Sequence, residues 1–188
     1  KIEYLDQPTS NIKTTKNSII YHGHLAPERG IQDLVCAMKY ASESISSISL
    51  SLLGTFRTED FEHKIKSLIV DLGLENTITI FDQVSHSDIW PIIKEHSIGV
   101  IPFRRTPLTE ENTPTKLFEM MICGLEIIVS KLPPAQYFLN DSVHWCEPED
   151  IHSISNSIIN ACKMKDNLIN VQKNFQLIQQ EYNWEHRQ

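Results

Sequence analysis

Short apolar runs alternate with longer segments of helical periodicity along most of this chain. Six apolar runs predict strands, namely SIIYHG, SISLSLLGT, NTITIF, IGVIPF, LEIIVS and SVHWCE. The segments between them repeat apolar residues every three or four positions, which is typical of amphipathic helices. Strands that alternate with helices predict an α/β fold, a doubly wound, Rossmann-like three-layer α/β/α domain around a mainly parallel six-stranded sheet.

The two ends of the chain differ from this pattern. Residues 1–17 are polar and predict a linker or a short edge segment, whereas residues 18–188 supply all the predicted elements. Two amphipathic helices, EDIHSISNSIINACKMK and DNLINVQKNFQLIQQEYNW, finish the chain. The first residue is not Met and the last segment, EYNWEHRQ, stops abruptly, so we expect a piece of a longer protein.

Composition excludes several classes of protein. A length of 188 residues with 40% apolar residues fits one domain with an ordinary core, and a net charge of -7 argues against a nucleic-acid binder. No signal peptide or transmembrane run is visible. The four cysteines have no CxxC spacing, which predicts buried free thiols and a cytoplasmic protein.

Candidate chemistry follows the predicted strands, where ligands of open parallel sheets bind. After the first strand, GHLAPERG offers Gly23 for a tight turn and His24 and Arg29 as cations for a diphosphate. After the fourth strand, a helix that begins near Pro114 directs free N–H groups back toward the loop, with Thr115 and Lys116 adding a hydroxyl and a cation. Either loop alone is also compatible with an ordinary surface connection.

Two carboxylates flank the start of that helix. Glu119 lies one turn inside it and can accept hydrogen bonds from a vicinal diol such as ribose, and Glu111 on the preceding loop can do the same for a second sugar. The alternative is that both acids only stabilise the helix dipole. No HExxH, GxSxG, P-loop or GxGxxG pattern is present, so we predict no metal site, no hydrolase nucleophile and no dinucleotide fold.

Five segments, in order, resemble the C-terminal, nucleotide-sugar-binding half of a retaining GT-B glycosyltransferase of the group 1, family 4-like type. They are YHGHLAPERGIQDLVCAM, LLGTF, ITIFDQVSHSDIWPII, SIGVIPF and ENTPTKLFEMMICGLEIIVS. The last contains a Glu-x7-Glu signature, with Glu111 and Glu119 in register. The final YNWEHRQ resembles the start of the family's last helix.

The resemblance implies roles for matching positions. Glu111 would contact the transferred sugar as the catalytic carboxylate, and Glu119 would hold the ribose. Arg29 would bind phosphate with the backbone near Thr115 and Lys116. The remaining donor-binding positions that the resemblance implies are Gly23, His24, Gly54, Gln83 and Val84, of which the last two lie where the backbone reads the base.

The resemblance also implies a reaction: transfer of a sugar, with retention, from a UDP- or GDP-linked donor to an acceptor glycan or lipid-linked glycan in polysaccharide or glycoconjugate biosynthesis. It implies no metal or other cofactor, no nucleic-acid partner and no transmembrane segment. We expect a cytoplasmic protein, and a peripheral position of the full-length protein at the inner face of the membrane stays open. The acceptor-binding N-terminal domain is absent, so this hexosyltransferase half is expected to be inactive alone.

Three positions depart from the family pattern. His24 replaces a common phosphate-binding Arg, Asp82 replaces a Gly, and Glu126 replaces the Pro of the usual G-x-P. Two other functions therefore stay open: a non-catalytic domain that binds a nucleotide or a partner, and half of a sugar-nucleotide epimerase with the same architecture.

Overall fold

A parallel sheet of six strands forms the centre of the fold. The computed structural model describes residues 15–139, 141–164 and 168–181. The strand order is β3-β2-β1-β4-β5-β6, and every adjacent pair is parallel. Helices cover both sides of the sheet, which confirms the predicted Rossmann-like α/β architecture.

The elements follow the predicted alternation closely. The strands are β1 (Ser18–His22), β2 (Ser49–Leu53), β3 (Ile78–Phe81), β4 (Ile98–Ile101), β5 (Glu126–Ser130) and β6 (His144–Cys146). The helices are α1 (Ile31–Ser44), α2 (Glu59–Asp71), α3 (Ile89–Lys94), α4 (Pro107–Glu111), α5 (Thr115–Ile122), α6 (Pro133–Phe138), α7 (Ile151–Lys163) and α8 (Leu168–Glu181).

Burial of the sheet on both faces explains the near-continuous apolar runs in the sequence. All residues of β1, β4 and β5 are buried, as expected for central parallel strands covered by helices. Helices α1 and α7 pack against each other, and each turns an apolar stripe toward the core. Among the described residues, no helix is long and apolar enough to span a membrane.

Three short helical segments occupy stretches that the sequence predicted as loops. They are α4, α6 and a 3-10 turn at Pro27–Arg29, and each begins with Pro. Pro fits the first helical position because its fixed φ suits a helix and its missing N–H is not needed there. Thr106 also caps α4, in a reciprocal arrangement with Thr109. Such short helices have too few residues to show a periodic pattern.

Two predictions fall wholly or mainly outside the described residues. The linker or edge segment predicted for residues 1–17 is described only from Thr15 onward, where the Thr15 amide donates to the Glu95 carbonyl at 3.1 Å. The segment YNWEHRQ, residues 182–188, lies beyond the end of α8 and is not described.

Glu126, one of the departures from the family pattern, is fully buried at the start of β5. Its Oε1 atom accepts hydrogen bonds from His144 Nε2 at 2.7 Å and from Asn170 Nδ2 at 2.8 Å. Its Oε2 atom has no hydrogen-bond partner in the described part of the chain. A buried carboxylate is costly unless it is hydrogen-bonded, so this cluster ties β5 to β6 and α8.

The buried cluster predicts an asymmetric response to substitution. His144→Leu should lower the free energy of unfolding by about 3–5 kcal/mol, because it leaves the Glu126 carboxylate without its closest donor. Glu126→Met combined with His144→Leu should recover most of that loss, since no charge is then buried. Urea unfolding measures both variants, and a double variant no more stable than His144→Leu would contradict the prediction.

Candidate functional site

An open cleft of about 350 Å³ lies beyond the carboxyl ends of β1 and β4. These two strands are neighbours at the point where the strand order reverses, which is where open α/β sheets bind ligands. Segments that follow β1, β3 and β4 supply the walls, together with the first two turns of α5. The lining residues are His22, Gly23, His24, Arg29, His86, Ile89, Phe103, Asn112, Thr113, Pro114, Thr115, Lys116 and Glu119.

Six of the ten predicted site residues line this cleft, and four do not. The structure brings together Gly23, His24, Arg29, Thr115, Lys116 and Glu119. The others, Glu111, Gly54, Gln83 and Val84, are not among the lining residues. The six come from two places, because each lies in the segment between β1 and α1 or within the first five residues of α5.

Glu111 is the predicted residue whose place differs most from expectation. The sequence predicted a flexible loop at this position, facing the cleft, whereas Glu111 is the exposed last residue of α4. Asn112 and Thr113, which follow it, line the cleft instead. The difference arises because Thr106 and Pro107 start a helix in the predicted loop, and this helix sets where the chain leaves its last turn.

Gly54 packs against a residue of the cleft, whereas Gln83 contacts a neighbouring loop residue. Gly54 has φ +153, and a Cβ atom there would lie 1.9 Å from the Gly23 carbonyl oxygen. Gly23 has φ +104, and a Cβ atom on it would lie 2.9 Å from Lys116 Nζ. Gly54 therefore lets Gly23 pack closely, and Gly23 leaves room for Lys116. The Gln83 side chain accepts a hydrogen bond from Thr55 at 2.9 Å.

Arg29 presents a cation to the cleft without an ion-pair partner among the described residues. Its guanidinium lies 4.5 Å from the centre of the Phe103 ring, which is a cation–π contact. The Nε atom is buried and has no hydrogen-bond partner in the described part of the chain. Arg29 is thus oriented by an aromatic ring while its donors stay available for an anion.

Lys116 provides the second cation, held over two aromatic rings. Its Nζ atom lies 4.4 Å from the centre of the Tyr21 ring and 5.4 Å from that of Phe103. It donates to the Tyr21 hydroxyl at 3.0 Å, and that hydroxyl donates to the His24 carbonyl at 2.8 Å. Burial, aided by the charge of Arg29, lowers the pKa of Lys116 to about 7.

The other two arginines of this region are paired away from the cleft. Arg104 binds the Asp33 carboxylate through two hydrogen bonds of 2.6 Å and thereby joins the loop after β4 to α1. Arg105 pairs with Glu110 at 2.5 Å. Each of these two arginines therefore already has a carboxylate partner.

The start of α5 faces the same cleft. Pro114 occupies the position before the helix, and no side chain caps its first turn. The N–H groups of a first helical turn have no partner within the helix and carry partial positive charge. With Arg29 and Lys116 nearby, this end of the cleft is suited to an anion such as a phosphate group.

Glu119 stands between two histidines that sequence reasoning did not assign to the site. Its Oε1 atom lies 3.2 Å from His86 Nε2, and its Oε2 atom lies 3.5 Å from His22 Nε2. A sequence signal existed for His22, because it is the one ionisable residue besides Tyr21 in the buried strand SIIYH. His86 gave no such signal, since it belongs to an exposed polar segment.

The described residues contain no group of three or more His, Cys, Asp or Glu side chains placed to hold a metal ion. The four cysteines are all free, two of them buried and two partly buried. Burial raises the pKa of Cys123 and Cys146 to about 12, so both thiols stay protonated. The described lining of the cleft offers two cations, a helix start, one carboxylate and three histidines as its chemistry.

Solved structures with a similar fold include glycosyltransferases. The C-terminal domain of a group 1 glycosyltransferase family protein, LpcC from Francisella tularensis, superposes with a TM-score of 0.81 at 15% identity, over 94% of this chain and 95% of that one. Sucrose-phosphate synthase from Thermosynechococcus elongatus gives 0.79 at 21% identity, over 96% of this chain and 46% of that one.

A third similar structure holds ligands. HepE from Anabaena, in complex with UDP and glucose, gives a TM-score of 0.72 at 18% identity, over 87% of this chain. The present chain spans 44% of the length of HepE. No curated protein sequence matches the chain.

One family model matches almost the whole sequence. The model of glycosyl transferases group 1 covers residues 5–182. The strand order, the cleft at its reversal and the similar structures agree with that match, and the fold is that of the C-terminal half of a GT-B enzyme. The chain therefore belongs to the group 1 glycosyltransferases.

Proposed function

We propose that this chain binds the nucleotide-sugar donor of a retaining glycosyltransferase in the cleft between β1 and β4. The observation that carries the proposal is the convergence of two cations, Arg29 and Lys116, and the start of α5 on one side of a single carboxylate, Glu119. Solved relatives of the same fold are described in complex with UDP and with UDP-glucose, which supports a nucleoside diphosphate sugar as the ligand.

The diphosphate would occupy the cationic end of the cleft. Arg29 offers donors in a fixed plane, Lys116 offers an ammonium group, and the N–H groups at Thr115 and Lys116 offer uncharged donors. These groups would neutralise the negative charge that the departing diphosphate gains as its bond to the sugar breaks. In this scheme no divalent metal is required, because protein groups supply the positive charge.

The nucleoside would extend from the diphosphate toward Glu119. The Glu119 carboxylate is only 20% exposed and lies on a helix, so it can offer a fixed acceptor to the two ribose hydroxyls. The base would then reach the segment at Gln83 and Val84, behind the ribose. We expect the donor to be a sugar linked to UDP or to GDP, and calorimetry with the two nucleotides distinguishes them.

The transferred sugar and the acceptor define what this half contributes to catalysis. The bond from the anomeric carbon to the diphosphate oxygen would break, its electron pair would leave with the diphosphate, and the acceptor oxygen would bond to the same carbon. The acceptor hydroxyl proton would pass to the diphosphate or to solvent. We expect the other half of the enzyme to bind the acceptor, a glycan or lipid-linked glycan, and this chain alone to be inactive.

The position of Glu111 favours one alternative function. Its exposure, and its place outside the lining of the cleft, suit a domain that binds a nucleotide without transferring a sugar. Transfer instead requires that Glu111 reach the sugar when the donor is bound. Donor binding is common to both functions, whereas a contribution of Glu111 to turnover is required only by transfer.

The diphosphate position is tested by removing one cation at a time. Arg29→Ala should weaken UDP binding by about 1.5–3 kcal/mol, the range for a hydrogen bond to a charged group. Arg105→Ala is the matched control, because Arg105 is exposed and paired with Glu110 outside the cleft. Calorimetry with UDP, GDP and ADP gives the affinities. Equal losses in the two variants would place the diphosphate elsewhere.

The two carboxylates should respond differently to the presence of a sugar on the ligand. Glu119→Ala should weaken the binding of UDP and of UDP-glucose alike, by about 1.5–3 kcal/mol, because both ligands carry ribose. Glu111→Ala should leave UDP binding unchanged and lower turnover in the full-length enzyme, since its contact positions the reacting sugar. If Glu111→Ala leaves turnover at the parent value, the non-catalytic alternative is favoured.

The pKa of Lys116 predicts that binding takes up a proton. Burial and the charge of Arg29 lower this pKa to about 7, although Glu119 opposes the shift. Without a ligand, the Lys116 side chain is therefore largely an uncharged amine at higher pH. A bound diphosphate favours the charged form, and affinity for UDP should therefore fall as pH rises from about 7 to 9. The phosphate itself, with a pKa near ~6, is ionised throughout that window.

Lys116→Met is the control for this pH dependence. It should bind UDP more weakly than the parent at pH 7 and should show a nearly flat affinity between pH 7 and 9. The Tyr21 hydroxyl keeps its acceptor, the His24 carbonyl, so the substitution leaves that buried group satisfied. Calorimetry at a series of pH values measures UDP affinity in the parent and the variant. The same dependence on pH in both would exclude Lys116 as the source of that dependence.

A further inference from the structure

His22 is a buried histidine at the edge of an open cleft. It ends β1, all of whose residues are buried, and only 3% of its surface is exposed. Its position on a central strand of the sheet fixes its Cα atom, so the ring can move only by rotation of its own side chain. Neither the family match nor the resemblance gives this residue a role.

The Nε2 atom of His22 lacks a hydrogen bond in the described part of the chain. The Glu119 Oε2 atom lies 3.5 Å from it, slightly beyond the ordinary range of an N–H···O bond. A buried polar atom without a partner is rare in proteins, and at a ligand cleft it indicates a contact that is completed in another state. A small rotation of the Glu119 side chain would complete the hydrogen bond between His22 Nε2 and Glu119 Oε2.

The ring of His22 is held neutral by its surroundings. Burial, with the positive charge of Lys116 and the nearby His86, lowers the pKa of His22 to about 3. A neutral imidazole carries one proton, and only the tautomer with hydrogen on Nε2 offers a donor to the facing carboxylate. His22 can thus orient Glu119 without neutralising the charge that a ribose diol needs as its acceptor.

The second histidine at Glu119 differs from the first in exposure. The side chain of His86 is 75% exposed, and its Nε2 atom lies 3.2 Å from Glu119 Oε1. It belongs to a segment outside the sheet and contacts the Trp90 ring at its edge. An exposed partner can be replaced by a ligand at low cost, whereas a partner buried in the central strand cannot.

We propose that His22 is a positioning residue for Glu119: its Nε2–H group holds Oε2 while Oε1 exchanges His86 for the hydroxyls of the ligand's ribose. The proposal rests on the proposed function, since it requires that Glu119 bind ribose. It assigns the two carboxylate oxygens different tasks, one toward the protein and one toward the ligand. His22 acts through Glu119 and touches no reacting atom.

The tautomer of His22 gives a test that needs no ligand. Nitrogen-15 NMR of the labelled chain between pH 5 and 8 should show a neutral His22 ring with its proton on Nε2 throughout. His96, which is bonded to Ser51 and to the Ile92 carbonyl far from the cleft, serves as an internal reference for a second partly buried histidine. A His22 ring with its proton on Nδ1, or one that becomes charged in this range, would overturn the proposal.

Binding measurements test the action of His22 through Glu119. His22→Leu should weaken UDP binding about tenfold, which corresponds to the loss of one hydrogen bond to a charged group. Binding of pyrophosphate, which lacks ribose, should stay within about twofold of the parent. His22→Gln, which keeps a donor at similar reach, should restore most of the affinity. His96→Leu, the matched loss of a histidine outside the cleft, should leave UDP binding unchanged.

A double-mutant cycle separates this proposal from the function on which it rests. In a Glu119→Ala chain, His22→Leu should cause no further loss of UDP affinity, because the group it positions is gone. Full additivity, or an equal loss of pyrophosphate binding, would show a general structural role for His22. If Glu119→Ala leaves UDP affinity at the parent value, the proposed function fails. The tautomer of His22 then decides alone whether His22 holds Glu119.

Discussion

The reversal of strand order between β1 and β4 is the constraint on which the rest of the structure depends. Chain segments that leave these two neighbouring strands diverge to opposite sides, and an open cleft results at their carboxyl ends. Gly23 and Arg29 reach the cleft from β1, and Lys116 and Glu119 reach it from α5 after β4. These residues are far apart in the sequence, and the sheet brings them together. The geometry of the site therefore depends on the sheet.

Few cationic side chains near the cleft remain available to bind a ligand. Arg104 and Arg105 are paired with carboxylates of their own surroundings, whereas Arg29 and Lys116 are held by aromatic rings. An aromatic face orients a cation without removing its hydrogen-bond donors. Within a chain of net charge -7, this arrangement gives a local site for an anion. The energetic cost falls on Lys116, whose ammonium form is disfavoured by burial.

Most of the fold and part of the site could be predicted from patterns of adjacent residues. Buried parallel strands appear in the sequence as apolar runs, and the residues directly after them are expected at one edge of the sheet. Arg29, Lys116 and Glu119 were predicted in this way. Interactions between distant residues could not be predicted, because the ion pair of Arg104 with Asp33 and the approach of Glu119 to His22 depend on how separate elements pack. The short helix α4 likewise moved Glu111 from its expected place.

Binding of a nucleoside diphosphate at the reversal of the sheet is the central proposal. Amide NMR shifts of the labelled chain on addition of UDP test it most directly. A second depression, lined by residues that include Lys16, Ser46 and Met164, lies at the opposite edge of the sheet and serves as an internal comparison. The largest shifts should fall at Gly23, Thr115 and Lys116, with none at the opposite edge. Shifts centred on that edge, or none at a saturating UDP concentration, would contradict the proposal.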